Sequence, residues 1–346
     1  MRVLVTGGAG YVGSHTVDAL RRRGDDVLVL DSLGHGHRAA LGDVPLVVGD
    51  IADEGLVARL LAEHGSQAIV HFAAHKRVDE SLEAPGRYFA NNVAGSLALL
   101  RAAVTAGIGR FVFSSTCAVY GAPARLPVDE SAAIAPENPY GASKAMVEQM
   151  LGWFERAHGL RSISLRYFNA AGAALDGSNG EDWEGAQNLI PAVLRVAAGR
   201  RPEVQVFGID YDTADGTAVR DYVHVLDLAR GHLAALDHLA VGGASATLNL
   251  GTGQGASVRQ VVAAATRITG RSIAAVDQPR RPGDPPAVWA DPSRAAATLG
   301  WRAELGLDDI LASAWRWHEA HPEGHLGPEW SATLTAPTTA STGVHP

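Results

Sequence analysis

The first half of the chain alternates short apolar runs with amphipathic helical patterns, and this alternation limits the possible folds more than any other feature. The apolar runs are Arg2–Thr6, Val27–Asp31, Leu46–Gly49, Ala68–Ala73, Arg110–Ser115 and Arg161–Phe168. Short strands that alternate with helices form βαβ units, whose strands are parallel. The pattern therefore predicts an α/β fold, with a Rossmann-type doubly wound parallel sheet over residues 1–170.

The pattern changes after about residue 170, where loops rich in Gly, Asp and Pro separate shorter elements. We expect a helix near Asn188–Ala198, a strand returning to the main sheet at Ala246–Gly251, and a closing helix from Trp301 to about Ala320. Residues 171–324 are therefore expected to form mainly a smaller C-terminal substrate-binding lobe. Residues 325–346 have few apolar side chains and are expected to form a disordered tail.

Charge and composition indicate which partners the chain has. The net charge is −8 and the arginines are scattered, which argues against a protein that follows nucleic-acid phosphates. No apolar run approaches the roughly 20 residues of a membrane span, and a strand beginning almost at Met1 leaves no room for a signal peptide. The single cysteine, Cys117, cannot form an intrachain disulfide. We expect a cytoplasmic protein that binds small molecules, with neither nucleic acid nor membrane as a partner.

A glycine-rich segment, GGAGYVG, follows the first strand directly and opens a helix. Gly7, Gly10 and Gly13 stand in the arrangement of a dinucleotide-binding loop, with one residue more between the first two. Glycine there lets the backbone approach a pyrophosphate at the helix N-terminus. A tight strand–helix turn also needs glycine for packing alone, so the motif is informative only in its context.

Carboxylates at two strand ends supply that context. Asp31 ends the second strand, where it can accept both hydroxyls of an adenosine ribose, and Ser32 and Leu33 offer no cation for a 2′-phosphate. Asp50 ends the third strand, where its side chain and the backbone N–H of Ile51 can contact adenine. The set predicts NAD rather than NADP.

Lysine is rare in this chain, which has only Lys76 and Lys144 among 29 basic side chains. Lys144 lies four residues after Tyr140 on an expected helix, so both side chains share one face. A tyrosine with a pKa of about 10 acts as a base near neutral pH only when a nearby cation stabilises the phenolate. Thr116, just past the fifth strand, can hydrogen-bond the same substrate oxygen. The three residues are candidates for proton transfer beside a hydride acceptor; the alternative is a helix-surface pair.

Two histidines and three acidic residues are expected to have structural roles. His71 and His75 have a metal-like spacing, but no further ligand is placed to join them, so no metal site is expected. Glu181, Asp182 and Glu184 are expected to solvate a loop.

Eight segments, in order, resemble motifs of the extended short-chain dehydrogenase/reductase family. They are GGAGYVGSH, HFAAHKRVDES, NNVAGS, FSSTCAVYG, NPYGASK, LRYFNAAGA, VRDYVHV and RRPGD. Within the family the likeness is to the UDP-glucose 4-epimerase subfamily, and it extends to about His321. The resemblance implies tightly held NAD, a UDP-sugar lobe and a homodimer joined through helices. It also implies reversible epimerisation at carbon 4 of a UDP-hexose through a 4-keto intermediate.

The resemblance also implies further site residues. Cofactor contacts are implied for Tyr11, Val12, Phe72, Ala73, Lys76, Asn92, Ser114 and Tyr167. Substrate contacts are implied for Thr116, Asn169, Asn188, Leu189, Phe207, Arg220, Arg281, Asp284 and Val288. In this set Arg220 and Arg281 would clamp the diphosphate, and Asp284 would bind the uridine ribose.

Sister enzymes of the family share the tyrosine and lysine, so other residues must separate them. A nucleotide-sugar 4,6-dehydratase usually has Asp-Glu after the threonine, where this chain has Cys117 and Ala118. A UDP-glucuronate 4-epimerase, or another nucleotide-sugar-modifying member, remains open. A regulator that binds NAD without turnover would not need Tyr140 and Lys144.

Three positions differ from, or vary within, the family pattern. Family members commonly have serine at Thr116 and glycine at Ala74, and both changes are expected to be tolerated. At Val288, epimerases restricted to glucose and galactose tend to carry tyrosine, whereas those that accept N-acetylhexosamines carry a small residue. Valine predicts that UDP-GlcNAc and UDP-GalNAc are also substrates, unless Val288 only packs and a neighbour fills the space.

Overall fold

The computed structural model describes residues 1–183, 186, 188–281 and 283–326. The strands are β1 (Arg2–Thr6), β2 (Asp26–Asp31), β3 (Leu46–Val48), β4 (Ala68–His71), β5 (Arg110–Thr116), β6 (Arg161–Tyr167), β7 (Asn169–Ala171), β8 (Val204–Phe207), β9 (Val219–Arg220), β10 (Tyr222–His224), β11 (Ala246–Leu250), β12 (Ala256–Ser257), β13 (Ala275–Gln278) and β14 (Ala287–Val288).

The helices are α1 (Tyr11–Arg23), α2 (Glu54–His64), α3 (Val78–Glu83), α4 (Pro85–Tyr88), α5 (Ser96–Thr105), α6 (Pro139–His158), α7 (Leu189–Ala197), α8 (Val225–Ala240), α9 (Val258–Thr269), α10 (Ser293–Leu299) and α11 (Leu307–Ala320). A π-helical turn, Phe89–Gly95, joins α4 to α5. In the described ranges no helix is both long and apolar enough to cross a bilayer.

Seven parallel strands form the main sheet in the order β11-β6-β5-β4-β1-β2-β3. The predicted doubly wound α/β fold is therefore confirmed. The chain runs outward from β1 in one direction and, from β4, in the other, so the strand order reverses between β1 and β4. At such a switch point a crevice opens at the carboxyl ends of the strands, which is where ligands bind in open α/β sheets.

The central strands are apolar on both faces because helices cover the sheet on both sides. Val3 and Val5 of β1 point toward one layer, which contains α1 and α8, whereas Leu4 points toward the other layer, which contains α2, α5 and α6. All three side chains are fully buried. The packing of α8 on the main sheet was not expected, because its residues fall in the range predicted to form the second lobe.

The second lobe consists of short strand pairs and three helices. β13 pairs with β8, β9 lies between β12 and β14, and the buried faces of α7, α9 and α11 form a separate apolar cluster. The closing helix α11 begins at Leu307 rather than at Trp301. The Trp301 indole N–H instead donates to the carbonyl oxygen of Asp227 on α8 (2.8 Å), which holds this stretch outside the helix.

The tail expected over residues 325–346 lies outside the described residues from 327 onward. Its first two residues belong to a 3₁₀ turn, Gly324–Leu326, and the His325 side chain is buried. His325 of this turn lines a cavity at the carboxyl ends of the main-sheet strands.

Candidate active site

A cavity of about 310 Å³ lies at the carboxyl ends of β1, β2 and β4, at the switch point of the sheet. Every residue predicted to bind the cofactor lines it, with the exception of Asn92. These are Gly7, Gly10, Tyr11, Val12, Gly13, Asp31, Asp50, Ile51, Phe72, Ala73, Lys76, Ser114, Tyr140, Lys144 and Tyr167. The structure thus brings together residues that are up to 160 positions apart in the sequence.

The glycine loop between β1 and α1 has the shape that a pyrophosphate requires. Gly7 has a φ of +72°, and a Cβ there would lie 2.4 Å from the backbone nitrogen of Ala73. A Cβ at Gly13 would lie 2.3 Å from the carbonyl oxygen of Gly7, so only glycine lets α1 pack this closely. At Gly10 the nearest atom would be 3.4 Å away. Its lack of a side chain is therefore not needed for packing, and leaves the start of α1 open to an anion.

Asp31 and Asp50 line the cavity beside this loop. The Asp31 carboxylate is buried and accepts the backbone N–H groups of Ala9 (2.9 Å) and Leu33 (2.8 Å). Each of its oxygens keeps a further lone pair for a ribose hydroxyl. Asp50 Oδ1 accepts the N–H of Ala52 (2.9 Å), which fixes the turn after β3. The residues present therefore fit NAD.

Asn92 lies behind the cavity wall and contacts the loop that carries His75 and Lys76. Its side chain accepts the N–H of His75 (2.8 Å), and its amide nitrogen donates to the His75 carbonyl (3.0 Å) and to the Ser143 hydroxyl (3.0 Å). Asn92 is 1% exposed and sits in the π-helical turn, a local irregularity that is frequent at functional sites. It is placed to position this loop rather than to touch the cofactor.

Helix α6 carries Tyr140 and Lys144 into the far end of the cavity. Asn138 caps the helix by accepting the N–H of Gly141 (2.9 Å), so Tyr140 lies in the first turn. One turn later, Lys144 Nζ donates to the carbonyl oxygen of Ser114 (2.8 Å) and lies 4.8 Å from the centre of the Phe113 ring.

Thr116, Ser114 and Tyr167 complete this end of the site. Thr116, the last residue of β5, hydrogen-bonds the Tyr140 phenol and accepts the Ala118 N–H (3.2 Å). The Ser114 and Tyr167 hydroxyls lie 2.7 Å apart. Three hydroxyl-bearing side chains thus surround Tyr140 and the nearby lysine.

Burial shifts the pKa values of both central groups toward their neutral forms. It raises the pKa of the Tyr140 phenol, with a further contribution from Tyr167, while the hydrogen bond with Thr116 opposes the shift. Burial lowers the pKa of the Lys144 ammonium to about 7, partly offset by Glu148. The chain alone therefore does not stabilise a phenolate, and an additional positive charge beside Tyr140 is needed for it to act as a base.

Glu148 and Arg166 form a buried ion pair behind Lys144 that the sequence analysis did not single out. Arg166 Nε lies 2.9 Å from Glu148 Oε1, and the Ser115 hydroxyl donates to the same oxygen (2.5 Å). Glu148 lies one turn beyond Lys144 on α6, so the four-residue spacing could have identified it. The identity of its partner depends on β6 and could not be read from spacing.

Both ring nitrogens of His71 face hydroxyl groups. Its ring nitrogens lie 2.7 Å from the Thr6 hydroxyl and 2.8 Å from the Ser96 hydroxyl, and burial lowers the pKa of the ring to about 3. Among the described residues there is no group of three or more His, Cys, Asp or Glu side chains that could hold a metal ion.

The residues predicted to bind substrate do not line this cavity; apart from Thr116 they lie on elements after residue 168. Arg220 Nη2 lies 2.6 Å from Asp284 Oδ1, and the Arg281 guanidinium lies 3.8 Å from the centre of the Phe207 ring. Val288 pairs with Arg220 between β14 and β9 and is buried. The remaining positions are Asn169, the first residue of β7, and Asn188 with Leu189 at the start of α7.

Glu181 and Asp182 were expected to solvate a loop, but the structure places both of them in the cavity wall. Glu181 is 9% exposed, Asp182 is half-buried, and both line the cavity, whereas Glu184 lies outside the described residues. Glu181 Oε1 lies 3.4 Å from Lys76 Nζ, and Asp182 Oδ2 lies 2.5 Å from His37 Nε2. No sequence signal identified these contacts, because the partners are about 105 and 145 residues away.

Fold and site together define a nucleotide-binding enzyme class, and comparison with known proteins agrees. The chain belongs to the NAD dependent epimerase/dehydratase family, whose model matches residues 3–251. Within it, the chain is similar to UDP-glucose 4-epimerases. It is 45% identical over 326 residues to that of Halalkalibacterium halodurans, covering 94% of this chain and 98% of the relative. It is 49% identical over 321 residues to that of Azospirillum brasilense, covering 92% of each.

Solved structures show the same relationship. The UDP-glucose 4-epimerase of Brucella ovis in complex with NAD has a TM-score of 0.89 and 45% identity, covering 91% of this chain and 97% of that one. The enzyme of Bifidobacterium longum in complex with NAD⁺ and UDP has a TM-score of 0.88 and 42% identity, covering 94% and 100%. The resemblance to UDP-glucose 4-epimerases and the prediction of NAD as the cofactor are confirmed.

Proposed function

We propose that this chain catalyses reversible inversion at carbon 4 of a UDP-hexose, converting UDP-glucose and UDP-galactose into one another. The observation that carries the proposal is that Tyr140 and Lys144 line one end of a cavity whose other end fits a dinucleotide, with Thr116 beside the Tyr140 phenol. The position of Asp31, with no cation at Ser32 or Leu33, supports the choice of NAD.

In the proposed mechanism Tyr140 is the base. Its phenolate takes the proton of the sugar 4-hydroxyl, while Thr116 donates a hydrogen bond to the same substrate oxygen. NAD, when bound, supplies a positive charge beside Tyr140 and a reversible acceptor for the carbon 4 hydride. Lys144, held by the Ser114 carbonyl, stabilises the phenolate when protonated. Cys117 and Ala118 offer no carboxylate for elimination, so the 4-keto sugar has only the return of hydride open to it.

Inversion requires that the keto sugar present its other face. Arg220 and Arg281 are proposed to hold the diphosphate, while the hexose is held loosely enough to rotate. Arg220 is paired with Asp284. If Asp284 binds the uridine ribose, this pair must rearrange when UDP enters. The side chains of Arg220 and Asp284 are 18% and 34% exposed, so the pair is not sealed from solvent.

The chain is further proposed to act as a homodimer in the cytoplasm. Large apolar side chains are exposed on α5 and α6, including Leu97 (38%), Met146 (42%) and Trp153 (65%). A patch of this kind on a pair of neighbouring helices is suited to burial against a second copy. The unpaired Cys117 is compatible with a reducing compartment.

The test is activity of the purified protein on UDP-galactose without added NAD. We expect UDP-glucose to form, with absorbance near 340 nm appearing during turnover as bound NAD becomes partly reduced. Protein that carries NAD yet leaves UDP-galactose unchanged, and instead acts on UDP-galacturonate, would favour the uronate epimerase. Protein that carries NAD and turns over neither sugar would favour a binding role.

A further inference from the structure

Three residues of the second lobe, Gly180, Glu181 and Asp182, form part of the wall of the cofactor cavity. We refer to them as the strap. Glu181 is more than nine-tenths buried. A buried carboxylate is costly unless it is paired, and a carboxylate facing a pyrophosphate site would also repel its ligand. Glu181 and Asp182 are therefore expected to have partners that offset this cost.

Each acidic side chain of the strap pairs with a basic group on a different loop of the Rossmann side. Glu181 Oε1 lies 3.4 Å from Nζ of Lys76, on the loop after β4. Asp182 Oδ2 lies 2.5 Å from Nε2 of His37, on the loop after β2. Lys76 and His37 also line the cavity, and the Lys76 side chain is 58% exposed, which places it at the solvent-facing rim. The two contacts thus join the strap to two separate edges of the cavity.

The strap is itself fixed from behind. The Trp317 indole donates to the Glu181 carbonyl (3.1 Å), and the backbone N–H of His325 donates to Asp182 Oδ1 (2.7 Å). Just before the strap, the Asn179 amide donates to the Ser14 hydroxyl of α1 (3.0 Å). The strap is thus fixed by contacts with α1, with α11 and with the 3₁₀ turn after α11. Because it is fixed, its acidic side chains can restrain the loops that carry Lys76 and His37.

We propose that Glu181 and Asp182 are positioning residues that hold Lys76 and His37 across bound NAD and so slow its dissociation. This inference rests on the proposed function, since it assumes that NAD occupies the cavity throughout turnover. Glu181 and Asp182 take no part in proton or hydride transfer. Lys76 balances the charge of Glu181, and His37 lies against the Asp182 carboxylate, so both acidic groups face a partner on the cavity wall.

The test is a double-mutant cycle on the NAD release rate of the full-length protein. Glu181→Gln, Lys76→Gln and the double variant are purified with bound NAD and diluted. The NAD still on the protein is then measured at intervals, after gel filtration, as acid-released nucleotide. We expect each single variant to release NAD about tenfold faster than the natural chain, and the double variant no faster than the faster single one, because both remove the same contact.

Asp176→Asn is the matched control. Asp176 lies in the same segment and pairs with Arg22 of α1 (3.7 Å), but neither residue lines the cavity. This variant is expected to release NAD at the natural rate. If Glu181→Gln does not fold, Asp182→Asn with His37→Gln makes the same comparison at the second contact.

Two results would overturn the inference: single variants that retain NAD as the natural chain does, or a double variant whose release rate is accelerated by the product of the two single factors. A natural chain that binds no NAD at all would instead contradict the proposed function on which the inference rests. Measuring NAD content before release separates these cases.

Discussion

At the scale of single residues, the only two lysines of the chain both line the cofactor cavity. Lys144 is 4% exposed, between the Ser114 carbonyl and the face of the Phe113 ring. A guanidinium is broader and planar, and it cannot lose its proton near neutral pH. Lys76 is held at the cavity rim by Glu181, where it can reach a ligand without filling the cavity.

Tyr140→Phe is predicted to abolish epimerisation while leaving NAD bound. Only the phenol oxygen is lost, so the fold and the glycine loop are unchanged, and removing a general base typically lowers the rate by about 10²–10⁴. Turnover of UDP-galactose and NAD content are measured on the same preparation. A variant that keeps more than about a tenth of the natural kcat would exclude Tyr140 as the principal base.

Lys144 predicts a pH dependence of stability in the NAD-free protein. Its pKa is about 7 in the folded chain and 10.5 when unperturbed. Between these values the unfolded chain binds more protons. The unfolding free energy therefore rises with pH across this window, by at most about 1.4 kcal/mol per pH unit. Urea denaturation at pH 7 and pH 9 measures the rise. Lys144→Met should lack it, and an equal rise in both proteins would assign it to another group.

Val288→Tyr tests sugar specificity. The natural chain is expected to act on UDP-GalNAc as well as UDP-galactose, and the variant on UDP-galactose alone, because a tyrosine ring would fill space needed by an acetamido group. Steady-state kcat/KM for both substrates decides the matter. A natural kcat/KM for UDP-GalNAc more than about a thousandfold below that for UDP-galactose would mean that Val288 only packs.

At the scale of elements, α6 determines the geometry of the catalytic end. Its cap at Asn138 fixes the first turn and therefore Tyr140, and its third turn carries Glu148 to the ion pair with Arg166. One helix thus supplies the proposed base, its lysine and the carboxylate behind the lysine. The π-helical turn before α5 has a comparable role at the cofactor end, because its Asn92 holds the Lys76 loop.

Asn138→Ala is predicted to lower both stability and activity. Loss of an N-cap costs about 1 kcal/mol, and here the loosened turn contains Tyr140. Ser257→Ala is the control, since Ser257 caps α9 in the second lobe by accepting the N–H of Gln260 (3.1 Å). Both variants should unfold at lower urea concentration, but only Asn138→Ala should lower kcat. Equal kcat values for the two variants would contradict this role of the cap.

At the scale of the whole molecule, the exposed apolar faces of α5 and α6 predict assembly. Light scattering should give a mass of twice 36.1 kDa for the natural chain. Trp153→Glu should give monomers, because a carboxylate cannot be buried unpaired at an apolar interface. Val241→Glu changes a side chain that is 86% exposed after α8 and should leave the dimer intact. A monomeric natural chain would exclude the proposed assembly.

The sequence by itself determined the local and periodic features of this protein. The alternation of apolar runs predicted the main-sheet strands to within about two residues at either end, because burial on both faces requires continuous apolar segments. The glycine loop, Asp31 and the spacing from Tyr140 to Lys144 could be recognised because each depends on neighbours within one turn or one strand end.

Only the tertiary structure decided which distant groups meet. The contacts of Glu181 with Lys76, Asp182 with His37 and Glu148 with Arg166 join segments whose separation along the chain carries no pattern. The start of α11 also depends on a distant contact. The Trp301 indole N–H donates to the Asp227 carbonyl on α8, and the helix begins only at Leu307. Local propensity sets where elements form. Burial in the assembled core determines which polar groups must find partners, and therefore which residues enclose the cofactor.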